Sequence, residues 1–137
     1  MSIHSALSSR MLPENITSDF AYAIPVMASY NVQESVDFMT DLGGTRSFVT
    51  EDGRYGGVLF GKAEIHYYLT DDPTLVENSV CRVNMSSVEA LYEWCRQRNV
   101  VHPNGHLEIK PYGYCEFSIL DPSGALYTFA EFVGHRD

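Results

Sequence analysis

Sliding the chain against itself until Asn31 meets Ser86 lays one helix start on another: Asn31-Val32-Gln33-Glu34-Ser35-Val36 falls on Ser86-Ser87-Val88-Glu89-Ala90-Leu91. In each copy a capping residue is followed three positions later by Glu34 or Glu89, the spacing at which a carboxylate reaches back to the free N–H groups of a first turn. Apolar residues then recur at helical spacing, Val32, Val36 and Met39 in one copy and Val88, Leu91 and Trp94 or Cys95 in the other. A chain that repeats itself this way is constrained to two similar modules. The first helix should stop at Gly43-Gly44 and the second near Asn99, residues that accept the left-handed cap conformation.

Alternating stretches flank both helices. Ala21 to Ala28 precedes the first, and Thr45 to Thr50, Tyr55 to Phe60 and Ala63 to Leu69 follow it, separated by the turn pairs Asp52-Gly53 and Gly61-Lys62. Val80 to Asn84 precedes the second helix. After it come a short strand around Leu107-Glu108-Ile109, a longer one from Tyr112 to Leu120, and a last one from Leu126 to Val133 beyond the Asp121-Pro122-Ser123-Gly124 turn. The expectation is an α+β domain of two βαβββ modules spanning residues 21–133. Module one covers about 21–69, the linker 70–79 contains Asp71-Asp72-Pro73, and module two covers about 80–133. Residues 1–20 read as an extension outside the repeat, either mobile or packed on a partner subunit.

With 137 residues, 45% of them hydrophobic, the chain can bury one core. Its 9 Lys plus Arg against 18 Asp plus Glu give a net charge of −9, which disfavours nucleic acid and anionic membrane and favours cations. Cys81, Cys95 and Cys115 are odd in number and have no CxxC spacing, so they read as core residues in a reducing cytoplasm. Neither a signal peptide nor a membrane span is read in the chain. His102 and His106 sit four apart but are separated by Pro103, Asn104 and Gly105, so they do not share a helix face, and His4 and His135 near the ends read as solvated. No GxSxG and no Gly-rich loop opens a helix, which removes a hydrolase elbow and a phosphate cradle.

The run Glu116-Phe117-Ser118-Ile119-Leu120-Asp121-Pro122-Ser123-Gly124, taken with Pro111-Tyr112-Gly113, Ile24-Pro25-Val26, Leu42-Gly43-Gly44 and Leu91-Tyr92-Glu93-Trp94, resembles the bleomycin-resistance proteins of the glyoxalase, or vicinal-oxygen-chelate, superfamily. The resemblance implies that superfamily's fold and a homodimer, with the first strand, Pro25 in it, open to exchange between subunits. The superfamily's enzymes bind a divalent ion through four strand positions, which here land near Ile24, Ile65 or His66, Val80 and Thr128. Only His66 among them is a ligand type, so no metal, no cofactor and no catalytic residue is expected.

In the bleomycin-resistance proteins, aromatic side chains after the first helix and in the Pro-aromatic-Gly turn line a groove that grips a flat cationic drug. The matching residues are Phe48, Tyr55 and Pro111-Tyr112-Gly113, with Tyr112 where the family more often has Trp; His66 and Tyr68 complete the candidate set. Glu51 and Asp52 stand beside the aromatic pair, and a carboxylate at an aromatic face suits a cationic planar ligand. The expectation is a small-molecule binding protein that sequesters such an antibiotic and confers resistance. The alternatives are a metal-dependent enzyme of the superfamily with displaced ligands, using His66 and Glu131, and a binding module for another metabolite.

Overall fold

A computed structural model describes residues 13–134. Of the N-terminal extension it therefore describes only the part from Pro13 onward, with one turn of 3₁₀ helix at Ile16–Asp19; His4 and His135 lie outside the described residues. Module one consists of β1 (Val26–Ser29), α1 (Val32–Asp41), β2 (Arg46–Val49), β3 (Tyr55–Phe60) and β4 (Ala63–Leu69). A short helix α2 (Pro73–Glu77) leads to β5 (Val80–Asn84), α3 (Val88–Gln97), β6 (Glu108–Ile109), β7 (Tyr114–Leu120) and β8 (Leu126–Phe132). The sheets run β1-β4-β3-β2 and β5-β8-β7-β6, the same order in both modules, each with one parallel and two antiparallel pairings. The expected α+β fold of two βαβββ modules is the observed one.

Three details differ from the sequence reading. The first strand is four residues long and begins after Pro25, whose missing N–H ends the ladder; its carbonyl still accepts from the His66 N–H at 3.0 Å. The stretch 70–79 is not a plain linker. Asp72 caps α2 by accepting from the Thr74 N–H at 2.9 Å, and Pro73 occupies the first helical turn, a start signal present in the sequence. The second helix is capped differently from the first. Asn31 accepts from the Glu34 N–H at 3.0 Å as expected, but the cap of α3 is Ser87, in the left-handed region at φ 61°, with no side-chain bond of its own. Its Val88 N–H is taken instead by Glu131 Oε1 at 3.0 Å, a carboxylate from the last strand.

Helices α1 and α3 each cover one face of a sheet, and the covered faces share a core. Met27, Met39, Val58, Ile65 and Tyr67 supply module one; Val88, Cys95, Phe117, Ile119, Tyr127 and Phe129 supply module two. The halves meet where Phe60 packs on Phe129, rings 6.1 Å apart, and where the Tyr67 and Tyr127 hydroxyls approach to 2.9 Å. All three cysteines are buried and unpaired. No helix among the described residues is long and apolar enough to cross a membrane.

The Asp121-Pro122-Ser123-Gly124 turn is organised by one carboxylate. Asp121 Oδ1 accepts from the backbone N–H groups of Ser123, Gly124 and Ala125 at 2.9, 3.0 and 3.0 Å, and Oδ2 accepts from the Tyr127 hydroxyl at 2.6 Å. Since Tyr127 donates to Asp121, the Tyr67 hydroxyl donates to Tyr127. Burial raises the pKa of both phenols well above the ordinary tyrosine value. As the pH climbs past about 10 the unfolded chain sheds these protons first, so stability is full below that pH and declines above it. Urea unfolding followed from pH 8 to 11 should show the decline in the parent protein and a shallower one in Tyr67→Phe; equal slopes would deny the coupling.

Candidate functional site

Period-two alternation puts one row of each strand against the helices and the other row on an outward face. On sheet one the outward row crosses all four strands in register: Phe48 opposite Gly57, Gly57 opposite His66, His66 opposite Val26. Tyr55 and Tyr68 form the next pair on that face. Phe48 meets His66 edge to face at 5.5 Å, and Tyr55 meets it the same way at 5.3 Å. Gly57 makes this possible, because a Cβ there would lie 2.6 Å from both His66 Cδ2 and Phe48 Cε1.

Hydrogen bonds hold the imidazole at both nitrogens. Tyr55 Oη lies 2.7 Å from Nδ1 and Glu64 Oε2 lies 2.6 Å from Nε2; Nε2–H donating to Glu64 and Nδ1 accepting from Tyr55 satisfies both. Glu64 Oε1 also accepts from the Tyr22 hydroxyl at 3.2 Å. A shallow cavity of about 180 Å³ opens here between Arg46, Phe48, Gly57 and Glu64. Phe48 is 46% exposed.

The outward face of sheet two carries the other candidate aromatics. Tyr112 leaves the β6–β7 turn, where Gly113 at φ 96° donates to the Lys110 carbonyl at 3.0 Å and Pro111 is exposed. Its hydroxyl donates to Glu116 Oε1, its ring lies 6.1 Å from Tyr114, and Tyr114 packs on Phe132 at 5.3 Å. Glu116 is buried and ion-paired with Arg82 across β8, 2.8 Å from Nη2 to Oε2.

The structure thus brings Phe48, Tyr55, His66 and Tyr68 onto one face and sets Pro111, Tyr112 and Gly113 on another sheet. Asp52 is spent on its own turn, accepting from Thr50 Oγ1 at 2.7 Å and the Arg54 N–H at 3.1 Å, and these bonds, the hydroxyl first, hold its carboxyl below the ordinary value. Glu51 is exposed beside it. The carboxylate that reaches the aromatic face is Glu64, which the sequence reading passed over although it stands two residues before His66, on the same side of the strand. Arg82, Glu116 and Gly57 were missed for a different reason: their partners lie on other strands.

The donor set does not fit a divalent ion. Ile65 is in the core, Val80 is exposed, Thr128 is hydrogen-bonded to Ser118 at 2.8 Å, and the register partners of His66 and Thr128 on β1 and β5 are Val26 and Arg82. Among the described residues no three His, Cys, Asp or Glu side chains are grouped to share an ion. Glu131, the partner imagined for His66, faces the helix side and is committed to α3. His102 Nδ1 accepts from the Asn104 N–H at 2.9 Å, and His106 lies 3.3 Å from the Tyr92 hydroxyl.

No protein-family profile matches the chain. It is 22% identical over 124 residues to bleomycin resistance proteins of Geobacillus stearothermophilus and Staphylococcus aureus, an alignment covering 78% of this chain and 93% of theirs. A solved bleomycin resistance determinant encoded on the transposon Tn5 superposes with a TM-score of 0.69 at 17% identity, covering 82% of this chain and 98% of that one. A bleomycin-binding protein from bleomycin-producing Streptomyces verticillus, solved with copper(II)-bleomycin, gives 0.66 at 23% identity over 85% and 98%. A glyoxalase-related enzyme from Clostridium phytofermentans gives 0.65 at 14% identity over 83% and 96%. The chain has the glyoxalase/bleomycin-resistance fold, and its sequence resembles the bleomycin resistance proteins.

Proposed function

We propose that this is a non-catalytic binding protein that sequesters a bleomycin-type or similar flat, cationic antibiotic in the cytoplasm. It works as a homodimer with two equivalent grooves. Each groove has Phe48, Tyr55, Tyr68 and His66 of one protomer as one wall and the Pro111-Tyr112-Gly113 turn of the partner subunit as the other. The observation that carries this reading is the pair of bare outward faces. Phe48, Val26, Tyr112, Val80 and Phe132 are all exposed, on two faces whose opposite sides share the internal core. Exposed apolar side chains on both faces favour a cover, and a second copy can cover both at once. The proteins of similar sequence named above, and the solved complex with copper(II)-bleomycin, support a drug of that class. The net charge of −9 and Glu64 beside the aromatic cluster favour a cation.

Titration with bleomycin, followed by tyrosine fluorescence, should saturate at one drug per subunit, and sedimentation should give twice the chain mass. Phe48→Ala and Tyr112→Ala should each weaken binding about fivefold, the worth of roughly 1 kcal/mol of stacking. Neutralising Glu51 should chiefly reduce the salt dependence. A mass close to the single chain, or wild-type affinity in both aromatic variants, would remove the shared groove.

A further inference from the structure

Where the N-terminal half of β4 runs past β5, a cleft of about 310 Å³ separates the two modules, lined in part by Ala23, Pro25, Ala63, Glu64, Arg82 and Val83. It adjoins the aromatic cluster of sheet one, with which it shares Glu64, and its lining mixes apolar side chains with charged ones. Lys62 and Arg82 both line it. Glu64, a carboxylate at the same place, is occupied on both oxygens, by the Tyr22 hydroxyl and the His66 imidazole.

Arg82 is held in an unusual way. Its guanidinium lies over the Tyr114 ring at 4.9 Å and beside buried Glu116 at 2.8 Å, yet Glu116 Oε2 has no hydrogen-bond donor aligned on it. The carboxylate fixes the position of the positive charge through Nη2 alone. The side chain is 42% exposed and lines the cleft, with Tyr114 and Glu116 as its anchors. A guanidinium held like this suits a pair of acceptor oxygens, which Arg takes in parallel.

We propose that this cleft binds a small organic anion with a flat apolar body, its carboxylate or sulfonate paired to Arg82 and its body lying between Pro25, Ala63 and Val83. The cleft adjoins the groove proposed for the cationic drug and shares Glu64 with its aromatic wall. It gives a strongly acidic protein one locus where an acid is welcome.

Two fluorescent probes of nearly equal shape test it: 8-anilinonaphthalene-1-sulfonate, an anion, and N-phenyl-1-naphthylamine, which lacks the sulfonate. The parent protein should bind the sulfonate about tenfold more tightly than the amine, the worth of one charge-assisted pair. Arg82→Met should abolish the preference, Arg82→Lys should keep part of it, and Glu116→Gln should enlarge it by removing the competing carboxylate. Ala23→Trp, on the exposed arm, should block the sulfonate by filling the cleft and leave the bleomycin titration unchanged. If Arg82→Met does not fold, the double variant Arg82→Met/Glu116→Gln, which leaves no unpaired charge, serves in its place. Equal affinities of the two probes for the parent, or a preference that survives the loss of Arg82, overturns the proposal. Failure of bleomycin to bind would count against the drug groove alone.

Discussion

Phe129→Ala is expected to lower the unfolding free energy by about 3–5 kcal/mol, a large part of what holds a domain of this size together. The ring is fully buried, packs on Phe117 at 5.4 Å within its own sheet and on Phe60 at 6.1 Å in the other module, and so fills the junction between the halves. Truncation leaves a cavity with rigid strands on both sides, which limits how far the site can collapse. Phe60→Ala, at the partly buried end of the same contact, should cost less. Denaturant unfolding distinguishes the two, and a Phe129→Ala loss below about 1 kcal/mol would mean the modules are held together elsewhere.

Gly57→Ala should spare the fold and remove the proposed drug groove. A methyl at this position meets His66 Cδ2 and Phe48 Cε1 at 2.6 Å, closer than carbon atoms tolerate, so one or both rings must swing away. The displaced imidazole gives up Tyr55 and Glu64, and the stacking face loses its shape. Because the clash falls on side chains at an outward face, the stability cost should stay within about 1–3 kcal/mol. Bleomycin affinity should fall tenfold or more, a larger effect than truncating Phe48 alone. Calorimetric titration beside a thermal melt separates the two quantities, and full affinity in the variant would place the drug elsewhere.

The strands with clean alternation and glycine turns were readable from local sequence: β3 and β4 begin and end where expected because Asp52-Gly53 and Gly61-Lys62 leave little choice of register. The cap of α3 was not readable. Ser86 and Glu89 carry the right spacing, but Glu131 reaches the helix start from 43 residues away and wins over the local box. The candidate site divides the same way. Phe48, Tyr55 and His66 could be picked as aromatic or imidazole residues on neighbouring strands, whereas Glu64–His66–Tyr55 as a bonded unit, Gly57 as its floor and Arg82–Glu116 as a pair depend on which residues face each other across a sheet. Side-chain parity along one strand reveals half of such a relation; the partner strand's register supplies the rest.

The two outward faces lie on different sheets of one chain, and this has a genetic consequence. Under the proposed dimer each groove draws one wall from each protomer, so a lesion in Phe48 and a lesion in Tyr112 damage different walls. Co-expression of the two defective chains would assemble some mixed dimers in which both lesions fall in a single groove and the other groove is wild type throughout. Two alleles that each leave a cell sensitive would then restore resistance when present together, whereas two alleles altered on the same wall would not.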